Sequence, residues 1–419
     1  MTDLSLKPGK NYGLKWIYTT IFANIAMAPL STIVVLYILE FRGSVIDASY
    51  AITAGTLITI PASYIWGKIS DIYQRKKAQI IVSYVGLSGP LIALFFINNV
   101  WEIILIYVLF NFFITANFPP LNLLVMETSS KEGWSRIFSK LQLAGGIGAT
   151  IGYAFAFVVT DIIALKFLVL ILFFISLISI ITSFIYVPEH VKKVARTAIE
   201  TDHSAFLSRL YANSILSIKT TYNNTIKIIK SFKFRNLMHG TLSKLYFAIF
   251  LFFVGAGLFN AVYPAGLKQH GLSESAIFMV IFAATMVQTI MFYYLGSGSR
   301  NIATSRNLNN ALFLRTGAYI MMGIMFFLPR YLLFYSNMIF YSISSGIGFA
   351  IFYTVSSVYV FHAIGESGRG MALGIYNAII SIGYLIGALF SGYISYYIGF
   401  WFLFIIAGII VFISYFFFQ

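Results

Sequence analysis

Long, continuously apolar runs follow one another along nearly the whole chain, each close to the about 20 residues needed to cross roughly 30 Å of hydrocarbon. They predict membrane-spanning helices, because barrel strands would alternate polar and apolar positions in segments of about ten residues. A first set of spans falls near residues 14–38, 46–66, 78–97, 101–126, 137–160 and 163–187. A second falls near 241–266, 274–295, 307–328, 331–361, 370–396 and 399–418. The expected fold is therefore an all-α polytopic membrane protein of 12 transmembrane helices, with an N-terminal six-helix bundle over 1–187, a basic linker over 188–240 and a C-terminal six-helix bundle over 241–419.

The polar gaps predict orientation. Lys7, Lys10 and Lys15, then Lys68 with Arg75, Lys76 and Lys77, then Lys131, Arg136 and Lys140, the linker, Arg300 with Arg306, and Arg369 occupy alternate gaps. The opposite gaps hold Arg42, Lys166, Lys268 and Arg330. Basic residues accumulate on the cytoplasmic side, so both termini are expected there, in a cell membrane. The linker interleaves apolar residues and lysines loosely, as in helices lying on an anionic membrane surface, and reads equally well as a solvated connector.

Composition narrows the function classes. Of 419 residues, 59% are hydrophobic and 10% charged, against roughly a quarter charged in soluble domains, which leaves no room for a large soluble unit. The net charge of +15 does not point to nucleic acid, since no soluble basic module carries it. With no cysteine there is no disulfide or thiolate metal site, and His190, His203, His239, His270 and His362 show no metal spacing. No nucleophile–base pattern indicates an enzyme, and no cofactor or metal is expected. The first span is too long for a signal-peptide core and is expected to stay.

The halves resemble each other. GKISDIYQRKK, with Gly67 and Arg75, is echoed by GSGSRNIATSR, with Gly296, Arg300 and Arg306. KEGWSRIFSKLQLAGGIGATIG, Lys131 to Gly152, is echoed by GESGRGMALGIYNAIISIGYLIG, ending at Gly387. Near-equal offsets at two places favour duplication over chance similarity among glycine-bearing helices.

On these residues the chain resembles the major facilitator superfamily of twelve-helix secondary transporters. That family's loop after its second helix reads Gly, three residues, Asp, a basic residue, any residue, Gly and two basic residues. Gly67, Asp71, Arg75 and Lys76 match it, while Ile72 and Gln74 depart. The resemblance implies two pseudo-symmetric bundles rocking about a central solute site. It also implies that Asp71 caps the start of the eleventh helix, near Gly370 and Met371, as a latch on the cytoplasmic side. Such a contact is worth about 0.3–2 kcal/mol, enough to bias a two-state equilibrium and weak enough to break. Glu127 and Arg136 resemble the acid and base of the same cluster.

Small residues spaced four apart, Ala144 with Gly148 and Gly152, Gly383 with Gly387, and Ser63 with Gly67, allow close helix approach. The family's seams run between helices five and eight and between two and eleven, although static packing accounts for the spacing equally well. The Gly-Pro pair of the family's antiporters is absent, Gly148 being followed by Ala149.

Polar side chains are expensive inside a bilayer, so Asn24, Asn111, Asn117, Asn260, Tyr263, Gln288, Tyr353 and Asn377 are candidates for a solute cavity. Asn111 and Asn117 lie about 600° apart in helical rotation, so one of them is expected to point inward. Pro119-Pro120 is expected to break span four. Glu40, Asp47, Glu102 and Glu127 all fall near span ends, which weakens proton coupling through an embedded carboxylate and leaves the coupling ion open. Arg315, the one charge embedded in a span, is expected to snorkel toward the cytoplasm from a peripheral helix, with anion binding as the alternative.

The reading is a transporter of a small neutral or amphipathic solute, sugar-like or a metabolite, working as a monomer among membrane lipids. An exporter of hydrophobic compounds is the alternative within transport. A non-transporting receptor or a lipid scramblase on the same scaffold is the alternative from another class.

Overall fold

The computed structural model of the chain describes residues 14–73, 75–128, 134–188, 241–297, 305–363 and 369–417. Among the described residues the secondary structure is helical and no strand forms. The helices of the first half are α1 (Leu14–Glu40), α2 (Val45–Tyr73), α3 (Lys76–Phe95), α4 (Val100–Val125), α5 (Trp134–Ile162) and α6 (Leu165–Tyr186). Those of the second are α7 (Ser243–Gln269), α8 (Glu274–Ser297), α9 (Ser305–Met325), α10 (Arg330–Ser357), α11 (Arg369–Tyr397) and α12 (Phe400–Tyr415). Ten of these are long and apolar enough to span a membrane. The others are α12, which is apolar but shorter, and α9, whose Asn309, Arg315 and Thr316 carry buried polar atoms.

Each half packs by the same rule. In the first, α1 lies on α5 and α6, α3 on α6, and α2 on α4. In the second, α7 lies on α11 and α12, α9 on α12, and α8 on α10. The two bundles join along α5–α8 and α2–α11.

Glycine sets the close crossings within each bundle. A Cβ on Gly148 or Gly152 would fall against the carbonyl oxygens of Ile21 and Ile25 in α1. One on Gly383 or Gly387 would fall against those of Phe250 and Val254 in α7. The paired glycines thus seat the fifth helix of each half on the first, a contact inside the bundle. The seams between halves use other small residues: Gly146 packs on Thr289, Gly392 on Ser49, and the Thr150 and Thr289 hydroxyls meet at 3.1 Å. Gly67 stands in open space, with nothing within 4 Å of a Cβ built there.

The first and fourth helices of both halves are interrupted. α1 breaks at Ala28–Pro29 and α7 at Ala261–Val262, with Pro29 and Pro264 opening the second pieces. α4 narrows to a 3-10 turn at Thr115–Asn117, immediately before Phe118-Pro119-Pro120. Proline lacks the N–H that would bond back four residues, so carbonyls are freed. The Gln79 amide donates to the Ala116 carbonyl at 3.1 Å and the Ser83 hydroxyl to that of Ile114 at 3.5 Å, which keeps the break satisfied in an apolar setting. α10 instead widens into a π turn over Ser342–Gly348.

The end of the molecule carrying Arg42, Lys166, Lys268 and Arg330 is capped by short connections; the other, carrying Lys68, Arg75, Lys140 and Arg306, is called the basic end below. At the former, Asp47 and Ser44 form a reciprocal cap on α2, with the Ser44 N–H 2.7 Å from the carboxylate and the Asp47 N–H 3.2 Å from the hydroxyl. At α4 the Glu102 N–H donates to the Asn99 side-chain oxygen at 3.0 Å, and the Glu102 carboxylate accepts from the Asn98 N–H at 2.9 Å. Gly271 and Gly399, at φ 89° and 115°, make the turns into α8 and α12.

Candidate solute cavity

A cavity of about 130 Å³ lies where the two halves meet. The first half lines it with Ser31, Thr32 and Val35 of α1, Ile52 and Thr56 of α2, Tyr107 of α4 and Tyr153 of α5. The second contributes Asn260, Tyr263 and Pro264 of α7, Ile281 of α8, Tyr341 of α10 and Tyr384 of α11. Helices three, six, nine and twelve supply none of these residues. At 1.5 Å rise per residue the lining sits roughly 10–20 Å from the capped end, well inside the apolar thickness.

The helix breaks place these groups. Ser31 and Thr32 follow the break of α1, and Asn260 and Tyr263 flank that of α7, so chain direction and exposed polar groups change at the wall. The Tyr153 hydroxyl donates to the Ala28 carbonyl at 2.7 Å, binding α5 to the broken turn of α1. The Tyr341 hydroxyl approaches the Asn260 amide oxygen at 3.5 Å. Tyr263 donates to Asn337 at 3.0 Å, and Asn337 in turn donates to the Leu333 carbonyl at 2.8 Å, which fixes the ring. Tyr263 also stacks on Tyr341 with centroids 4.4 Å apart. The Tyr384 hydroxyl has no partner among the described residues and is available to a solute.

No lining side chain is charged. The wall offers hydroxyls, an amide and the faces of aromatic rings, a set that orients neutral hydrogen-bonding groups and covers apolar ring faces. Beyond it, the capped end is held across the halves. The Tyr50 and Tyr393 hydroxyls meet there, and the outer piece of α1 packs on Tyr263–Gln269 of α7. Lys268 and Glu274 form a 2.8 Å ion pair beside Glu40, which interacts electrostatically with both.

Of the polar residues singled out by position in the sequence, Asn260 and Tyr263 line the cavity and the others do not. Asn24 donates to the Thr20 carbonyl at 2.7 Å and packs beside Gly148. Asn111 donates to the Tyr107 carbonyl at 2.8 Å, and Asn117 reaches the Tyr84 hydroxyl at 3.4 Å on α3, so both serve helix packing. Gln288 is half-buried on α8, Tyr353 stacks on Phe349 at 5.6 Å, and Asn377 is exposed on α11. The physical reason is that an amide in a helix satisfies itself most cheaply on a carbonyl one turn back or on an adjacent helix.

The tyrosines of the wall escaped notice because they blend into a chain containing 28 of them. The duplication carries a partial signal: the pairing of helices four with ten relates Tyr107 to Tyr341, whereas the glycine register of helices five and eleven sets Tyr153 against Ala388 and not against Tyr384.

Arg315 corrects a second expectation. It does not snorkel: about 1% of it is exposed, and its guanidinium turns into the second bundle against Phe252 at 4.5 Å and Tyr319 at 5.0 Å. At the basic end Arg75 and Arg306 are exposed, and Lys76 is buried at the start of α3. The side chains of Asp71, Glu127 and Arg136, the surroundings of Gly296, Gly370 and Met371, and Arg300 lie outside the described residues.

Two six-helix bundles joined around a central cavity, with broken helices at its wall, define a multi-pass membrane transporter. The family model described as Major Facilitator Superfamily matches residues 17–342 and 315–419, and the chain belongs to that family. Among solved structures it is similar to the nucleoside transporter NupG, with a TM-score of 0.64 at 15% identity, covering 97% of each chain. It is also similar to a POT family transporter in complex with 5-aminolevulinic acid, with a TM-score of 0.65 at 11% identity, covering 96% of this chain and 94% of that one. No curated protein in the comparison matches the chain.

Proposed function

We propose that the chain moves a small neutral solute with hydroxyl groups and a ring face, such as a sugar, a nucleoside or a related metabolite, by alternating access. The observation that carries this is the uncharged wall of hydroxyls, tyrosine rings and the Asn260 amide, contributed by both halves. At about 130 Å³, against roughly 30 Å³ per water in the liquid, the space takes about four waters in this pose, so a solute of that size enters as the walls part. The polar wall weighs against an exporter of purely hydrophobic compounds. With no carboxylate near the middle of any span, the transporter works as a facilitator or through unconventional coupling.

The Gly392–Ser49 contact, the Tyr50–Tyr393 hydroxyl pair and the packing of α1 on α7 lie toward the capped end, while the α5–α8 contact at Thr289 lies farther along those helices. The described parts of α4 beyond its break pack on α2, α3 and α5, and those of α10 beyond its π turn on α7, α8, α9 and α11. This supports a pose closed at the capped end. With the basic end in the cytoplasm, that pose faces inward, and Asp71 acts as the latch of the opposite pose.

Flux into proteoliposomes, measured over hexoses, nucleosides, amino acids, organic cations and lipophilic drugs, tests the reading. Saturable uptake of a hydroxylated neutral solute, weakened by Asn260→Ala, is the expected result. Movement of charged or purely lipophilic compounds alone would overturn it, as would binding without flux. Orientation is read separately. Because the chain has no cysteine, single cysteines in place of Lys68 and Arg330 report sidedness to an impermeant maleimide, and only the second is expected to label from outside intact cells. Asp71→Asn is expected to enrich the inward-open population; unchanged populations remove the latch.

A further inference from the structure

The second bundle holds a cation that its surroundings leave incomplete. Arg315 is almost wholly buried, and rings cover its guanidinium: Phe252 lies 4.5 Å, Tyr319 5.0 Å and Phe349 5.7 Å from its central carbon. Aromatic rings attract a cation but accept little in the guanidinium plane, where the N–H groups point. In that plane Nη2 donates to the Tyr319 hydroxyl at 2.5 Å. Nε and Nη1 are buried without a partner, and no carboxylate pairs with this arginine among the described residues.

Its neighbours add donors and no charge. Ser344, in the π turn of α10, faces the same Tyr319 phenol, yet its hydroxyl completes no hydrogen bond. The Ser345 hydroxyl of the same turn completes no hydrogen bond either and faces Tyr341. The turn is pressed against the arginine stem, since a Cβ on Gly348 would lie 3.4 Å from the Arg315 Cβ. The Ser344 hydroxyl and two unpartnered guanidinium nitrogens form a set that carries a positive charge and no negative one.

We propose that this set binds a small monovalent anion, a halide or a carboxylate of acetate size, seated in the guanidinium plane against Nε and Nη1. Arg315 supplies the charge and two planar donors, and Ser344 of the π turn supplies a hydroxyl. The competing occupant is water, which satisfies donors but leaves the cation unneutralised. Neither Arg315 nor Ser344 lines the solute cavity, so the two sites share no lining residue.

Thermal stability of the purified full-length protein, with gluconate replaced by chloride at constant ionic strength, tests this directly. A ligand bound only to the folded state raises the apparent Tm, and a saturable rise of roughly 2–5 °C is expected. Bromide should substitute for chloride. An acetate arm separates the two sources: a rise with acetate alone assigns the site to a carboxylate, and a rise with chloride alone assigns it to a halide. Arg315→Gln should abolish the dependence, and Arg315→Lys, which keeps charge but loses the planar edge, should weaken it. If Arg315→Gln does not fold, anomalous scattering from wild-type crystals grown in bromide still decides, the expected peak lying beside Nε and Nη1. No saturable anion effect in the wild type, a dependence unchanged in Arg315→Gln, or scattering elsewhere would overturn the proposal and leave water as the occupant.

Discussion

The third and fourth helices of the two halves occupy like places and do different things. In the first half, Tyr84 of α3 faces Asn117 in a 3-10 turn of α4, with Gln79 and Ser83 closing the carbonyls that prolines free. In the second, Tyr319 of α9 takes a hydrogen bond from Arg315 and faces Ser344 in a π turn of α10. One arrangement is neutral and its backbone is satisfied; the other holds a cation with two nitrogens unpartnered. Duplication supplied the scaffold twice, and the halves diverged where helix four breaks, because a break frees polar groups that side chains must answer. Partly satisfied buried networks store free energy that a ligand or a change of pose can release.

The largest expected effect tests whether the halves share a skeleton. Gly152→Val and Gly387→Val each drive side-chain atoms into the backbone of the first helix of their bundle and should cost about 3 kcal/mol or more, seen as loss of monodisperse protein. Gly67→Ala, in open space, should leave the yield unchanged; equal damage at all three positions would dissolve the equivalence. Next comes the contrast between the tyrosines. Tyr319→Phe removes the one acceptor of a buried guanidinium and should cost about 2–3 kcal/mol, whereas Tyr84→Phe removes a neutral contact worth about 1 kcal/mol. Denaturation of both variants under one set of conditions checks the order, and a reversal would mean that the cation is satisfied some other way.

Smaller effects bear on transport. Asn260→Ala removes an amide from the wall and should lower kcat/KM for the transported solute roughly fivefold to tenfold, with stability nearly unchanged. Tyr50→Phe removes one hydroxyl of the cross-half pair at the capped end and should shift the balance of poses by roughly two- to threefold. Distance measurements between labels on α2 and α11 read that shift.

Much of the architecture was readable from local pattern. Hydropathy located the helices to within a few residues, and the echo of Gly148 and Gly152 in Gly383 and Gly387 pointed to duplication. The matching break prolines, Pro29 and Pro264, are equally local signals in the sequence. The cavity was legible only in part. Asn260 and Tyr263 were found because they are unusual in an apolar run, while Tyr107, Tyr153, Tyr341 and Tyr384 were not, because tyrosine is common here and only its direction distinguishes it. Arg315 failed for the same reason: a long basic side chain midway along a helix is free to reach along it toward the surface or to turn inward, and residue type is silent between the two.

Crossing a membrane requires only that each run be long and apolar, a property summed over its own residues, so span number and family likeness follow from the chain alone. Which side chains meet depends on how far each helix is rotated and tilted against its neighbours. That is settled by packing among helices in a solvent as apolar as they are, and so the cavity wall, the partners of the paired glycines and the inward turn of Arg315 emerged only once the bundles were assembled.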